Sequence, residues 1–313
     1  MGQGYQRPTV ARVPSEDPRS GASAATQSRQ LALGMLVVGL VAVAAIAHAS
    51  WNLAIKRAGT GGVVFLWLTF AVGAVVFAPL GIAALGPHPE HWLWLAAVSG
   101  ALQAGYFLLL QRGYRRGDVS VVYPLARGTG PLLSVVFAVI LFREHPGIPA
   151  LIGAGVVIAG VVTIGLAGGR DGAKVNRPGV LYGLAVGVAI AIYTLWDSNA
   201  VINGGMPPLG YYWAVVAAFL LLTPAALRER AVVVATAKRH WLAVLVVGLL
   251  CPLAYVLILY AVQLAPVSII APAREVSVVL VAIAGWLWLK EPHPVQRLIG
   301  AGIVLLGVAL LAV

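Results

Sequence analysis

Charge is scarce in this chain. Only 10% of its 313 residues are Asp, Glu, Lys or Arg, against roughly 25% in a soluble domain, and the mean hydropathy is +0.93. A water-soluble globule, a disordered chain and a coiled coil are all excluded, because each needs a polar or charge-rich composition. Cysteine is scarcer still. Cys251 is the only one, which excludes a disulfide scaffold and a Cys-based metal site and leaves Cys251, inside an apolar run, as a packing residue. Catalytic and nucleotide motifs are missing too. Without GxxxxGK(S/T) no ATP-driven step is expected, and without HExxH or GxSxG the readiest membrane-enzyme readings fall away. No cofactor and no metal are expected.

What is present is 60% hydrophobic residues gathered into blocks. A bilayer core about 30 Å thick needs about 20 apolar residues per helix. Breaking the chain at its charged or Pro/Gly-rich turns predicts ten such helices, at about 32–56, 62–85, 92–112, 119–142, 147–167, 179–201, 209–227, 241–263, 266–289 and 295–313. Residues 1–30, with Pro8, Pro14, Pro18 and four Arg but no apolar period, read as a disordered polar tail. Ala47-His48-Ala49 imitates a signal-peptide cleavage site, but its block has an internal counterpart and is counted as the first helix. The net charge of +11 sits largely in the short turns, where it sets topology rather than binding nucleic acid.

The chain repeats itself. Leu151-Ile152-Gly153-Ala154-Gly155 returns as Leu298-Ile299-Gly300-Ala301-Gly302, and at the same offset Arg127 matches Arg274, Glu144 matches Glu291 and Gly160 matches Gly307. With small slips in register, Pro124 matches Pro272, Tyr106 matches Tyr255, Pro79 matches Pro224 and Trp51-Asn52 matches Trp196-Asp197. The units are therefore 31–168 and 179–313, joined by a connecting turn at 169–178. Five helices per unit is an odd number, so the second unit must run upside down relative to the first. The basic residues agree. The turns that hold Lys56, Arg57, Arg112, Arg115 and Arg116 in the first unit have equivalents without Lys or Arg in the second, and the bias reverses at Arg228, Arg230, Lys238, Arg239, Lys290 and Arg297. The expected fold is an all-α integral membrane protein of ten transmembrane helices in two inverted five-helix repeats. The basic-rich face is predicted to be cytoplasmic, with both termini outside, although the four Arg of the tail oppose that orientation.

Tyr123-Pro124-Leu125-Ala126-Arg127 to Glu144, Ala271-Pro272-Ala273-Arg274 to Glu291, and Trp51-Asn52 to Lys56 together resemble the EamA-type branch of the drug/metabolite transporter superfamily over about residues 31–313. The resemblance implies secondary transport of small metabolites, frequently export, from a central cavity between the halves, lined by helices four and nine.

The buried charges point to the same helices. Arg127 and Arg274 lie about eight residues, or about 12 Å, into helices four and nine. An Arg at a helix centre costs about 2.5–3.5 kcal/mol on insertion scales, so each needs a partner or a wet cavity. Both could bind an anionic substrate, or Glu275 and Asp197 could be their structural counter-charges. Glu275 and Asp197 are also the candidates for proton coupling, though Asp197, about four residues from its helix end, could equally be solvated. Pro124 and Pro131 flank Arg127, so helix four is predicted to kink or partly unwind, as is helix nine at Pro272; the freed carbonyls would line the cavity, unless the kinks serve packing alone. His48, Trp51, Asn52 and Lys56 form a polar stripe on helix one. Tyr123, Tyr193, Trp196 and Tyr255 supply aromatic walls or ordinary packing. Glu144 and Glu291 suit the N-termini of the helices that follow them, and Gly183 and Gly187 suit a close helix contact.

The function expected is alternating-access transport, as exporter or exchanger, of a small metabolite bearing a carboxylate, phosphate or phosphonate, such as an amino acid or organic acid. Proton or counter-substrate would drive it, lipid of the plasma (bacterial inner) membrane would surround it, and monomer and homodimer stay open. The alternatives are a membrane enzyme or scaffold without transport and a cationic-drug/proton antiporter, the latter disfavoured by buried Arg but allowed by Asp197 and Glu275.

Overall fold

The computed structural model describes residues 18–59, 61–116, 119–166, 177–289 and 294–311, and these are helical almost throughout. With no water around apolar blocks, backbone groups must bond internally, and a helix does this within one segment. In chain order the helices are α1 (Pro18–Ala58), α2 (Val63–Val76), α3 (Ala78–Ala83), α4 (Leu93–Arg116), α5 (Val119–Leu141), α6 (Ile148–Leu166), α7 (Arg177–Ile202), α8 (Pro208–Ala218), α9 (Thr223–Leu227), α10 (Arg230–Leu264), α11 (Val267–Ala273), α12 (Val276–Leu289) and α13 (Pro294–Leu311). Among the described residues seven helical segments are long and apolar enough to cross a membrane, and Val63–Val76, Ile148–Ile164 and Leu298–Leu311 are shorter apolar helices.

Several boundaries differ from those expected. α1 starts at Pro18, so residues 18–30 are helical rather than unfolded. Once the apolar part of α1 has formed, extending it through Ala22, Ala24 and Ala25 carries no new nucleation cost. Residues 1–17 lie outside the described ones, as do Glu291 and most of the 169–178 connection. The charged stretch from Arg230 onward is helix, not turn, because it holds no Gly or Pro; α10 bends where His240 leaves helical geometry (φ −123, ψ 24). The second and seventh predicted helices are each divided, at Phe77 and at Phe219–Leu222, with the repeat-related Pro79 and Pro224 in the first turns of α3 and α9.

The fourth and ninth predicted helices part company. α5 runs unbroken through positions 124 and 131, packed along α6 and α7, so the predicted unwinding is absent there. The ninth is interrupted. Pro272 stands in the last turn of α11, and Arg274–Glu275 form a two-residue tight turn before α12, with Glu275 N–H donating to the Pro272 carbonyl (2.9 Å) and Val278 N–H to that of Glu275 (2.8 Å).

Packing follows the repeat. α1 lies on α10 and α12, and its mate α7 lies on α4 and α5; α6 and α13 pair along their lengths. The repeated glycines make that last contact. A Cβ on Gly153 would come within 2.7 Å of the Gly307 carbonyl, and one on Gly160 within 2.8 Å of that of Gly300, so the backbones touch where a side chain would hold them apart. Gly183 and Gly187 likewise seat α7 against Leu125 and Thr129 of α5. Arg116, ending α4, donates to Tyr182 at the start of α7 (3.1 Å). At the other end Glu144 accepts from the N–H groups of Val267 (2.7 Å) and Ser268 (2.9 Å), the first turn of α11. The acid does serve a helix N-terminus, but one in the opposite half rather than that of α6, which follows it.

Candidate functional site

The halves enclose a recess. Its mouth, a vestibule of about 550 Å³, is lined by Gly61, Gln111 and Tyr114 at the end where α1 and α4 finish, and by Asn52, Tyr123 and Arg127 further in. That volume lies within the range of about 300–1,000 Å³ usual for small-molecule sites. Trp51, Tyr106, Arg127 and Cys251 lead from it into a tighter chamber of about 90 Å³, which His48, Arg274 and Glu275 also line. Beyond the chamber an aromatic plug closes the far end. There Tyr212 packs on Tyr255 and its O–H donates to Gln103 Oε1 (3.3 Å), while Phe70 of α2, stacked on Phe219 at 4.0 Å between centroids, lines both the vestibule and the chamber.

The chamber's charges form one cluster. Glu275, 1% exposed, places Oε1 3.6 Å from Arg127 Nη1 and 3.5 Å from Arg274 Nε. A charge-assisted hydrogen bond spans about 2.7–2.9 Å, so both are ion pairs held slightly apart. Both Glu275 oxygens, Arg274 Nε and Trp51 Nε1 are buried without a hydrogen-bond partner. The guanidinium of Arg127 lies 3.3 Å from His48 Nε2 and 5.6 Å from the centre of the Tyr123 ring, and Arg274 donates to Thr194 Oγ1 (3.4 Å). Two cations face one carboxylate, leaving one positive charge in a wall of aromatic and aliphatic groups, where electrostatic attraction is weakly screened. Unpaired donors beside an excess positive charge are what an incoming anionic group requires.

Of the candidate residues, His48, Trp51, Asn52, Tyr123, Arg127, Arg274 and Glu275 line this recess. Trp196 does not: its indole N–H donates to the Leu95 carbonyl (3.0 Å) and its ring meets Trp94 edge-on. Asp197 is neither solvated at an interface nor paired with Arg. It is fully buried behind the chamber wall, accepting from Tyr211 O–H (2.7 Å), Tyr255 O–H (2.8 Å) and Gln103 Nε2 (3.2 Å). Cys251, expected to serve packing, faces both parts of the recess. Phe70, Gln103, Phe107 and Tyr212 also line it and went unrecognised in the sequence, because single aromatics and amides in apolar helices look alike whether they face a cavity or a neighbour. Tyr106 carried one signal, its repeat match to Tyr255. Among the described residues only His88, Glu90 and His91 have metal-ligand spacing, with one ligand atom from each within 4.8 Å of the others. They are exposed on the turn before α4, outside the recess.

Known proteins resemble this chain in sequence and in fold. A Pseudomonas aeruginosa protein named as a multidrug transporter is 31% identical over 102 residues, which make up 91% of that protein and 33% of this chain. A crystal structure of a protein sharing 18% identity superposes with a TM-score of 0.65 over 88% of this chain and 95% of that one, a likeness of fold. Residues 35–166 and 177–313 each match the EamA-like transporter family. This chain, an integral membrane protein built of two such repeats, belongs to the EamA-like transporter family.

Proposed function

We propose that the protein is a secondary transporter of a small metabolite bearing a carboxylate, phosphate or phosphonate, an amino acid or organic acid being typical, and that it works by alternating access in the plasma membrane. The observation that carries the proposal is the convergence of Arg127 and Arg274, repeat mates from opposite halves, on a single carboxylate inside a recess open at one end. In this account the seven long and three shorter apolar helices are ten crossings, arranged as two inverted five-helix repeats. The vestibule residues Gly61, Gln111 and Tyr114 neighbour Arg57, Arg112, Arg115 and Arg116 in the chain, on the basic-rich face, which supports reading the conformation as one that faces the cytoplasm. An anion entering there would reach the two guanidinium groups, and rocking of the halves about the Arg127–Glu275–Arg274 cluster would carry it past the plug. Export or exchange is the direction that suits this mouth.

Proteoliposomes test the proposal. Labelled amino acids and organic acids should be accumulated by the wild type and not by Arg127→Ala of equal melting temperature; equal uptake by both removes the Arg pair from the mechanism. A second reading, cation/proton antiport, is favoured by the aromatic lining around Glu275 and by the name of the Pseudomonas relative. Uptake of lipophilic cations that survives Arg127→Ala but is lost in Glu275→Gln would select it.

A further inference from the structure

Asp197 is a buried acid that anion binding does not use. It lies on α7, and its three donors belong to α8 (Tyr211), α10 (Tyr255) and α4 (Gln103), so one carboxylate ties four helices together at the plugged end. Among the described residues no Lys, Arg or His forms an ion pair with it. The titratable groups around it are Tyr211 and Tyr212 of α8, Tyr255 of α10 and Tyr193 of α7 itself; α4 contributes only the neutral Gln103 and Ser99. Arg127 of α5 and Arg274 after α11 approach α7 one turn away, at Tyr193 and Thr194, and Glu275 stays between those two guanidinium groups. A carboxylate buried without a cation is tolerable only while its donors hold it, and otherwise it must be neutral.

We infer that Asp197 is the residue that binds and releases the coupling proton, and that its protonation loosens the plug; the inference rests on the protein being a transporter. As a carboxylate Asp197 accepts charge-assisted bonds from two tyrosines, and such bonds are roughly twice as strong as neutral ones. Adding a proton to one Oδ removes the charge. It also creates an O–H donor that needs an acceptor, so Tyr211 or Tyr255 must turn its own hydroxyl elsewhere. The proton comes from water at the far face as that end opens and returns to water on release. Asn52 sharpens the assignment. It is the repeat mate of Asp197, yet it sits at the mouth as an amide bonded to the His48 carbonyl (2.7 Å), and an amide cannot ionise. Only one of the two equivalent positions, the one at the shut end, carries the switch. Glu275, with a guanidinium on either side, serves as counter-charge.

Cys251 provides the test, being the sole cysteine and facing the chamber. A membrane-impermeant methanethiosulfonate is applied to the plugged side of oriented vesicles holding the full chain. Labelling rates are divided at each pH by that of the unfolded chain, which removes the fall in reactive thiolate as pH drops. The wild-type ratio should rise roughly tenfold or more from about pH 8 to about pH 5, since weakening two charge-assisted bonds shifts an opening equilibrium by at least that much. Asp197→Asn should abolish the rise, and Tyr255→Phe, which keeps the ring but removes one donor, should move the rise to higher pH. In infrared titration the carboxylic-acid band that grows in on acidification should be lost in Asp197→Asn and kept in Glu275→Gln. Acid-enhanced labelling in Asp197→Asn equal to wild type, or a band lost only in Glu275→Gln, overturns the inference. Neither readout uses a transported solute, so failure of the anion proposal would leave both results standing.

Discussion

Two residues 147 positions apart, Arg127 and Arg274, occupy the same place in the repeat and do different work. Arg127 sits mid-way along the unbroken α5, between the His48 ring, the Tyr123 face and Glu275. Arg274 sits at the break between α11 and α12, anchored to Thr194 and to the neighbouring Glu275. The internal repeat thus determines where a charge is placed, and the local backbone determines what holds it. One arginine is set in an unbroken helix facing the mouth, and the other in a tight turn between two helices.

The largest expected effects separate these roles. Arg127→Ala should lower transport by about 100-fold or more, from loss of a desolvated charge contact of about 3 kcal/mol, with the fold intact. Arg274→Ala should lower transport similarly and also melt at a lower temperature, because it leaves Thr194 and the turn unsupported; equal stability in the two variants would erase the distinction. Fluxes in proteoliposomes and melting curves of the detergent-solubilised protein measure both.

The glycines of the repeated Leu-Ile-Gly-Ala-Gly segment offer the next contrast. Gly300 meets the Gly160 carbonyl and Ile164 across the α6–α13 contact, whereas a Cβ on Gly302 meets nothing within 4 Å. Gly300→Leu should cost about 1–3 kcal/mol through overpacking, and Gly302→Leu close to nothing, read as a difference in melting temperature. Glu144→Gln should follow, at about 1 kcal/mol for loss of the charged cap on α11, with faster labelling of Cys251 from the plugged side. The smallest effects concern the paired tryptophans. Trp196→Phe loses one indole bond to Leu95, about 0.5–1.5 kcal/mol, and leaves transport unchanged. Trp51→Phe should instead alter the apparent affinity for solute with little change in stability, because its indole N–H has no protein partner.

Much of this was legible in the order of residues. Charges are so costly within apolar blocks that Arg127, Arg274 and Glu275 mark the recess by their presence alone, and matches such as Trp51-Asn52 with Trp196-Asp197 revealed two units. Single polar positions misled. Trp196 was expected as an aromatic wall or packing and Asp197 as a coupling or solvated acid, but Trp196 bonds to Leu95 outside the recess and Asp197 is buried behind the chamber wall. The plug was illegible for another reason. Tyr212, Gln103 and Tyr255 come from three separate elements, and no periodicity along the chain reports which faces will meet. Proline gave half an answer: the ninth predicted helix does break just after Pro272, yet α5 passes Pro131 intact, because packing on α6 and α7 supports the turn that loses its hydrogen bond.

A melting-temperature panel tests the central claim most directly, since a ligand that prefers the native state raises the transition in proportion to its occupancy. Carboxylates, phosphates, phosphonates and lipophilic cations are added in turn to the solubilised wild type and to Arg127→Ala. At least one anionic class should stabilise the wild type, and none should stabilise the variant. Stabilisation by lipophilic cations alone, unchanged in Arg127→Ala, would contradict a recess built to hold an anion between two arginines.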